Sequence, residues 1–199
     1  MAVTALILYL VWAFLAFGWR TIDQRRRTGD SGLRLHAQPN TAQWWAKIGF
    51  AIAILVGVAA PLAAVAGLDN ITALDATWLH IAGIAVTLIG VLLTVAAQYS
   101  MGESWRIGVD PEERTELVTA GAFRLVRNPI FTAMLITATG LAMIIPNVIS
   151  ILGLVALFVA LEVQVRLVEE PYLRTVQGDE YRTYAQSAGR FAPGIGRIR

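Results

Sequence analysis

The sequence predicts an all-α fold: a polytopic membrane bundle of five transmembrane helices, with a tight helix-turn-helix hairpin over residues 129–165 and a cytoplasmic C-terminal segment. Of its 199 residues, 56% are hydrophobic and 15% are charged, whereas soluble domains have about a quarter charged residues. The hydrophobic residues form long uncharged runs, and every lysine and arginine falls between those runs on one side of the predicted membrane. These observations exclude a disordered chain and argue against a water-soluble domain.

Three uncharged runs in the first half of the chain are each long enough to cross a bilayer, which takes about 20 apolar residues. They cover residues 2–19, 48–68 and 78–97. The first run lacks the basic start and the cleavage site of a signal peptide, so we expect a retained helix. Pro61 predicts a kink in the second helix.

A fourth uncharged run, residues 130–161, is too long for one span. As a single helix it would measure about 48 Å, whereas the hydrocarbon core is about 30 Å thick. Pro146 and Asn147 lie at its middle, which predicts two helices that turn at this pair.

The two ends of this hairpin carry further helix signals. At the first end, Arg127 is expected to anchor at the membrane surface. Asn128 is expected to cap the helix, with Pro129 in the first helical position. The second helix is expected to continue to about Glu170, where Pro171 ends or kinks it.

The basic residues test the number of spans. All 16 of them lie in residues 20–47, 98–129 and 162–199, and the segments on the opposite side have none. The positive-inside rule therefore places these three segments in the cytoplasm. A single span over residues 130–161 would break this partition, so the charges support the hairpin.

The composition also excludes several kinds of site. The chain has no cysteine, which excludes disulfides, thiolate ligands and a cysteine nucleophile. Its two histidines cannot form a multi-histidine metal centre, so no metal is expected. A net charge of +2 does not favour a nucleic-acid partner.

A charged cluster directly follows the last apolar run. Glu162, Arg166, Glu169 and Glu170 are spaced to share one face of a helix. Charges this close to the membrane surface face a wet cavity or a partner rather than lipid. An intrahelical ladder of ion pairs explains the same spacing, and both interpretations stay open.

The loop 98–129 and the tail 162–199 flank the hairpin, so they are expected to lie close together. Within the loop, residues 115–123 mix small, apolar and polar side chains with a glycine, and could offer backbone groups to a ligand or simply pack. Trp105 and Arg106 either anchor at the membrane interface or border a lipid-like substrate.

Four motifs follow one another around the hairpin: TELVTAGAFRLVRNPIF at 115–131, RLVEEPYL at 166–173, GDEYRTY at 178–184 and RFAP at 190–193. Together they resemble the isoprenylcysteine carboxyl methyltransferase family, which is related to integral-membrane phospholipid N-methyltransferases. The resemblance covers roughly residues 98–193.

This resemblance implies S-adenosylmethionine bound on the cytoplasmic side, in a pocket closed by the C-terminal segment. Glu170 would hold the amino group of the cofactor, and Arg166 would face the substrate. The other cofactor-binding positions implied by the motifs are Glu116, Leu117, Val118, Phe123, Asn128, Pro129, Ile130 and Phe131. Asn128 departs from the Arg-His-Pro of the best-known members, which argues against a titrating histidine but leaves a positioning role.

The sequence thus predicts an integral-membrane methyltransferase that moves a methyl group from S-adenosylmethionine to a lipophilic acceptor, preferably a lipid-linked carboxylate of the isoprenylcysteine kind. Arg166 would hold that carboxylate, with Trp105 and Arg106 beside the substrate. For an amine acceptor, Glu169 would be the nearest base. The alternatives are a phospholipid or other lipid amine N-methyltransferase, and a non-enzymatic membrane subunit that keeps the fold.

The same reasoning predicts a single membrane domain over residues 1–199. Residues 1–97 would supply three transmembrane helices, and residues 98–199 the cofactor-binding methyltransferase core. We expect the protein in the cell inner or plasma membrane, in contact with membrane lipid, with the cofactor site and the C-terminus cytoplasmic. The sequence does not indicate an oligomeric state.

Overall fold

A computed structural model describes residues 1–108, 110 and 116–198. Within these ranges the backbone forms seven α-helices and no β-strand. Two π-helical turns, Phe14–Trp19 and Val165–Glu169, join α1 to α2 and α6 to α7 into continuous helices. The helices are α1 Ala2–Ala13, α2 Arg20–Thr28, α3 Ala42–Val65, α4 Thr77–Ser100, α5 Pro129–Ile144, α6 Val148–Gln164 and α7 Glu170–Ser187.

The helices form the predicted membrane bundle. Four continuous helices in the described part of the chain are long and apolar enough to cross a membrane: Ala2–Thr28, Ala42–Val65, Thr77–Ser100 and Val148–Ser187. The fifth is α5, which is apolar but has only 16 residues, or about 24 Å. It packs mainly against α4, while α3 packs against α6.

Small residues allow α4 and α5 to approach closely. A Cβ atom built on Gly90 would lie 2.6 Å from the Thr137 backbone nitrogen, and one on Gly83 would lie 2.7 Å from the Gly140 carbonyl oxygen. Contacts this short leave no room for a side chain. Membrane helices associate through such packing because lipid provides no hydrophobic driving force between them.

The predicted hairpin between α5 and α6 is confirmed, and Asn147 fixes its turn. Its Oδ1 accepts a hydrogen bond from the Ser150 backbone at 2.8 Å, which caps α6. Its Nδ2 donates to the Ala60 carbonyl of α3 at 3.3 Å. The side chain is fully buried, so the turn is part of the bundle interior.

The sequence predicts that Pro171 ends or kinks the last helix, but the helix continues to Ser187. Proline has no N–H and clashes with the carbonyl four residues earlier. The π-helical turn Val165–Glu169 ends two residues before the proline, so the regular hydrogen-bond register of the helix is already interrupted near the missing N–H. The helical geometry breaks instead at Gly178, where φ is +55° and ψ is −123°, a conformation that glycine adopts without a Cβ clash.

The loop and the tail meet as predicted. A short parallel backbone pairing joins Val126 to Gly189. The Arg127 N–H donates to the Gly189 carbonyl at 2.7 Å, and the Asn128 N–H donates to the Arg190 carbonyl at 3.2 Å. The tail is therefore fastened to the start of α5, next to the end of α6.

Candidate functional site

The centre of the site is the carboxylate of Glu170, whose side chain is only 5% exposed. Arg127 Nη2 donates to its Oε1 at 2.9 Å. Arg190 donates twice, from Nε to Oε1 at 2.8 Å and from Nη2 to Oε2 at 3.2 Å. Arg174 Nη2 lies 3.8 Å from Oε2. These partners offset the cost of burying a charged carboxylate.

Arg127 holds the tail as well as Glu170. Its Nη1 donates to the carbonyls of Ala185 and Ala188 at 3.1 and 2.6 Å, and its Nη2 also donates to the Gly196 carbonyl at 2.9 Å. Its Nε is buried and has no hydrogen-bond partner among the described residues. The sequence analysis expected a surface anchor here, whereas the side chain is 2% exposed and lies at the centre of the site.

Arg190 connects Glu170 to a second ion pair. The Oε2 atom of Glu162 accepts a hydrogen bond from Arg166 Nε and also lies 3.9 Å from Arg190 Nη1. The hydrogen bond to Glu170 raises the pKa of the Arg190 guanidinium, which keeps that group charged. Arg166 is 57% exposed and Arg174 is 56% exposed, so these two side chains form the open side of the site.

These side chains form what we call the arginine cluster, which carries excess positive charge. Four guanidinium groups against two carboxylates leave a formal excess of two positive charges. Such an excess favours an anionic ligand over a cationic one. The members of the arginine cluster are Arg127, Arg166, Arg174, Arg190, Glu162 and Glu170.

Glu169 faces a different direction from Glu170. Gln164 Nε2 donates to its Oε1 at 3.1 Å, and Arg106 interacts with it electrostatically. In a regular α-helix Glu169, the seventh residue after Glu162, would lie on the same helical face as Glu162. The π-helical turn adds one residue, so Glu170 lies on the face of Glu162 instead of Glu169. The predicted single face is therefore divided, and Glu169 is separated from Arg166.

The ladder interpretation is correct only in part. Glu162 and Arg166 do form an ion pair four residues apart, in the favourable order. Glu170 has a similar neighbour in Arg174, at 3.8 Å, but its hydrogen bonds come from Arg127 and Arg190, which lie in other parts of the chain. The strongest contacts of the site are therefore long-range.

Asn128 occupies the N-cap position of α5, but its side chain makes no capping hydrogen bond. Its Nδ2 donates to the Arg190 carbonyl at 3.1 Å. The predicted capping role is therefore wrong, because the amide ties the tail to α5. Thr132 adds a second tie, from Oγ1 to the Phe191 carbonyl at 2.8 Å.

The other residues implied by the motifs lie along the same junction. Phe123 is buried, and its carbonyl accepts a hydrogen bond from the Tyr184 hydroxyl at 2.6 Å. Pro129 is buried at the start of α5. Ile130 and Phe131 pack against the main hydrophobic core, as does Phe191 of the tail.

The segment before Phe123 is partly exposed. Glu116 is exposed, and Leu117 and Val118 are half-buried. Neither Leu117 nor Val118 makes a backbone hydrogen bond to another residue in the described part of the chain. Trp105 is 2% exposed, and its ring centre lies 4.8 Å from the Arg20 guanidinium carbon. Its side chain is therefore packed inside the protein, and its place beside the substrate stays a prediction. Arg106 lies 6.0 Å from the ring centre of Tyr172.

The sequence analysis missed the roles of Arg127 and Arg190. Both lie in motifs, at residues 115–131 and 190–193, and each adjoins a segment that forms the junction between loop and tail. An acidic residue directly before a proline at the membrane border needs a cationic partner. This requirement predicts that Glu170 has a cationic partner, but it does not identify which of the 16 basic residues is that partner.

The chain is similar to known methyltransferases. A family model described as phospholipid methyltransferase matches residues 78–180. The chain is 28% identical over 118 residues to protein-S-isoprenylcysteine O-methyltransferase A of Arabidopsis thaliana, covering 58% of this chain and 60% of that protein. It is 29% identical over 115 residues to a probable protein-S-isoprenylcysteine O-methyltransferase of Oryza sativa subsp. indica, covering 57% and 60%. The chain thus matches about three fifths of the length of these relatives.

A solved structure shares the fold. It is described as the eukaryotic intramembrane Ras methyltransferase ICMT (isoprenylcysteine carboxyl methyltransferase), and it matches with a TM-score of 0.66 and 19% sequence identity. The match covers 96% of this chain and 66% of that one. At this identity the likeness supports the five-helix arrangement and says nothing about the substrate.

Proposed function

This chain belongs to the phospholipid methyltransferase family, and we propose that it transfers a methyl group from S-adenosylmethionine to a carboxylate on a lipophilic acceptor, of the isoprenylcysteine kind. The observation that carries the proposal is the arginine cluster around Glu170. It lies directly beyond an apolar helix, where a lipophilic acceptor can approach from the membrane and a soluble cofactor from the water.

The arginine cluster fits the amino-acid part of S-adenosylmethionine, which carries an ammonium group and a carboxylate. Glu170 would hold the ammonium group. The guanidinium groups beside Glu170 would hold the carboxylate. Leu117 and Val118 would offer backbone N–H groups. When bound, the cofactor supplies a methyl group activated by the positive sulfonium.

The acceptor would bind at the open side of the arginine cluster. Arg166 is the exposed guanidinium nearest the membrane segment, and it would hold the acceptor's carboxylate by a charge-assisted hydrogen bond. A carboxylate is ionised at neutral pH and needs no base. The task of the side chains is then to align the reacting groups, an effect that can supply about 7–11 kcal/mol.

A lipid amine N-methyltransferase is the second candidate. The description of the matching family favours it, and Glu169, accepting from Gln164, is a candidate base. At the acceptor position the exposed charged group is the Arg166 guanidinium, which disfavours a cationic amine there. A methylation rate that is flat between about pH 6.5 and 8 would support a carboxylate acceptor, whereas a rate rising about tenfold per pH unit would support an amine.

The domain organisation and the location belong to the same proposal. Residues 98–199 would form the methyltransferase core of a single membrane domain, with residues 1–97 supplying three membrane helices. The cofactor site would face the cytoplasm from the cell inner or plasma membrane. The support is the basic residues, all of which fall in segments on one side of the bundle.

Binding of S-adenosylmethionine to the detergent-purified protein tests the proposal. Glu170→Gln should weaken binding more than a hundredfold, because removing one member of a buried charge pair typically costs about 3–5 kcal/mol. Arg166→Ala should retain binding and lose turnover. Calorimetry would measure the first effect, and transfer of a labelled methyl group the second.

The matched control is Glu180→Gln, which alters an exposed carboxylate in α7 and should leave binding unchanged. Thermal unfolding of each variant shows whether it is folded. Unchanged binding in folded Glu170→Gln would refute the role of this carboxylate. No binding to the unaltered protein at micromolar cofactor would favour a non-enzymatic subunit.

A further inference from the structure

Glu162 is the carboxylate of the arginine cluster to which the proposed function gives no task. We propose that Glu162 is an internal stand-in for the acceptor's carboxylate: it holds Arg166 until a carboxylate ligand replaces it. On this view Glu162 sets the affinity and specificity of the site for anionic acceptors. The inference rests on the proposed function and deepens it.

The geometry of the Glu162–Arg166 pair suits exchange. Glu162 lies in the last turn of α6, and its Oε2 accepts from Arg166 Nε. The two side chains are 21% and 57% exposed, whereas those of Glu170 and Arg127 are 5% and 2% exposed. Exposed ion pairs contribute little to stability because water competes for both charges. A ligand can therefore compete for Arg166 in the same way.

A displaced Glu162 has a second partner nearby. Its Oε2 lies 3.9 Å from Arg190 Nη1, and Arg190 is already held by Glu170. When a ligand carboxylate takes Arg166, Glu162 can move towards Arg190 instead. No carboxylate is then left unpaired at the membrane border, where an unpaired charge would be costly.

The chemistry of the exchange defines the ligand. A carboxylate presents the same two oxygens to Arg166 as Glu162 does, so a lipophilic acid can replace it. The corresponding methyl ester has no charge and cannot. Glu162 would thus also favour release of a methylated, neutral product, because it returns to Arg166 when the carboxylate is lost.

Glu162→Gln tests the exchange because glutamine keeps the shape and removes the charge. Free of its competitor, Arg166 should bind a carboxylate about two- to fivefold more tightly, the range expected for an exposed ion pair. The probes are an S-prenylated N-acetylcysteine and its methyl ester, measured by calorimetry at low and high salt. Binding of the ester should not change, and the gain for the acid should shrink at high salt.

The control is Asp179→Asn, which removes the carboxylate of an exposed ion pair with Arg182 in the same continuous helix. It should leave the ratio of acid to ester affinity unchanged. Arg166→Ala should reduce that ratio to near one. An unchanged ratio in Glu162→Gln, with the acid still preferred by the unaltered protein, would overturn the stand-in role alone. Failure of the unaltered protein to bind S-adenosylmethionine or to prefer the acid would instead refute the proposed function.

Discussion

The amide of Asn128 donates to the Arg190 carbonyl, and this bond joins the start of α5 to the tail. Because the amide nitrogen is the donor, Asn128→Ala should cost about 0.5–1.5 kcal/mol of unfolding free energy. Asn128→Asp should cost more, about 1–3 kcal/mol, because a carboxylate oxygen would face a carbonyl oxygen. Thermal unfolding in detergent would measure both.

The same substitutions distinguish this bond from a helix cap. A capping side chain would tolerate aspartate, which is as good an N-cap as asparagine. If Asn128→Asp is as stable as the unaltered protein, that result would contradict the hydrogen bond from Asn128 to the Arg190 carbonyl. Asn70→Ala removes the hydrogen bond that the Asn70 side chain donates to Asp75 in an exposed loop, and it should change stability by less than about 0.5 kcal/mol.

The contact between α4 and α5 depends on glycines. Gly90→Ala would place a Cβ 2.6 Å from the Thr137 backbone nitrogen, and such overpacking costs about 1–3 kcal/mol because the helices must separate. Gly49→Ala is the matched control, since its Cβ would lie 3.9 Å from the Ala160 Cβ. It should be neutral or stabilise by up to about 1 kcal/mol, because alanine is the better helix former.

Unfolding of the two variants under one detergent condition would compare them. A similar loss of unfolding free energy in both variants would mean that any glycine-to-alanine change within these helices is destabilising, and that the close α4–α5 contact is not the cause. Because Arg127 and Asn128 directly precede α5, Gly90→Ala should also weaken S-adenosylmethionine binding, and Gly49→Ala should not.

The π-helical turn Val165–Glu169 is the other element on which the site depends. It determines that Glu170, and not Glu169, points towards Arg127 and Arg190. A turn of this kind costs stability relative to a regular helix and is common at functional sites. Pro171 lies two residues after this turn and lacks the N–H that a regular α-helical bond at this position would use.

For the whole molecule, the segment between α3 and α4 should face the opposite side of the membrane from the C-terminus. A reporter fused after Thr72 should read as periplasmic or extracellular, and one fused after Arg199 as cytoplasmic. The reason is that all 16 basic residues lie in the three segments of one side. A reporter after His36, between α2 and α3, should agree with the one after Arg199. The same compartment for Thr72 and Arg199 would contradict five spans.

Much of the whole-molecule arrangement could be read from the sequence. Apolar runs show where helices cross the membrane, because a bilayer requires uncharged segments of fixed length. Pro146 and Asn147 marked the hairpin correctly, since a 130–161 helix would exceed the membrane thickness. The four motifs predicted the relationship to isoprenylcysteine methyltransferases, which the similarity to the Arabidopsis and rice enzymes confirms.

Only the tertiary structure decided which charges meet. Arg127, Glu170 and Arg190 are far apart in the chain, and their contact depends on how the tail packs on α5. The direction of Glu170 depends on an added residue in one helical turn. The sequence does not predict this added residue, because a proline indicates a break in a helix and not a shift of its register. The sequence by itself determined the helices and their order, since hydropathy acts locally along the chain. The pairing of the buried charges came from packing, since a buried carboxylate is stable only where distant partners converge on it.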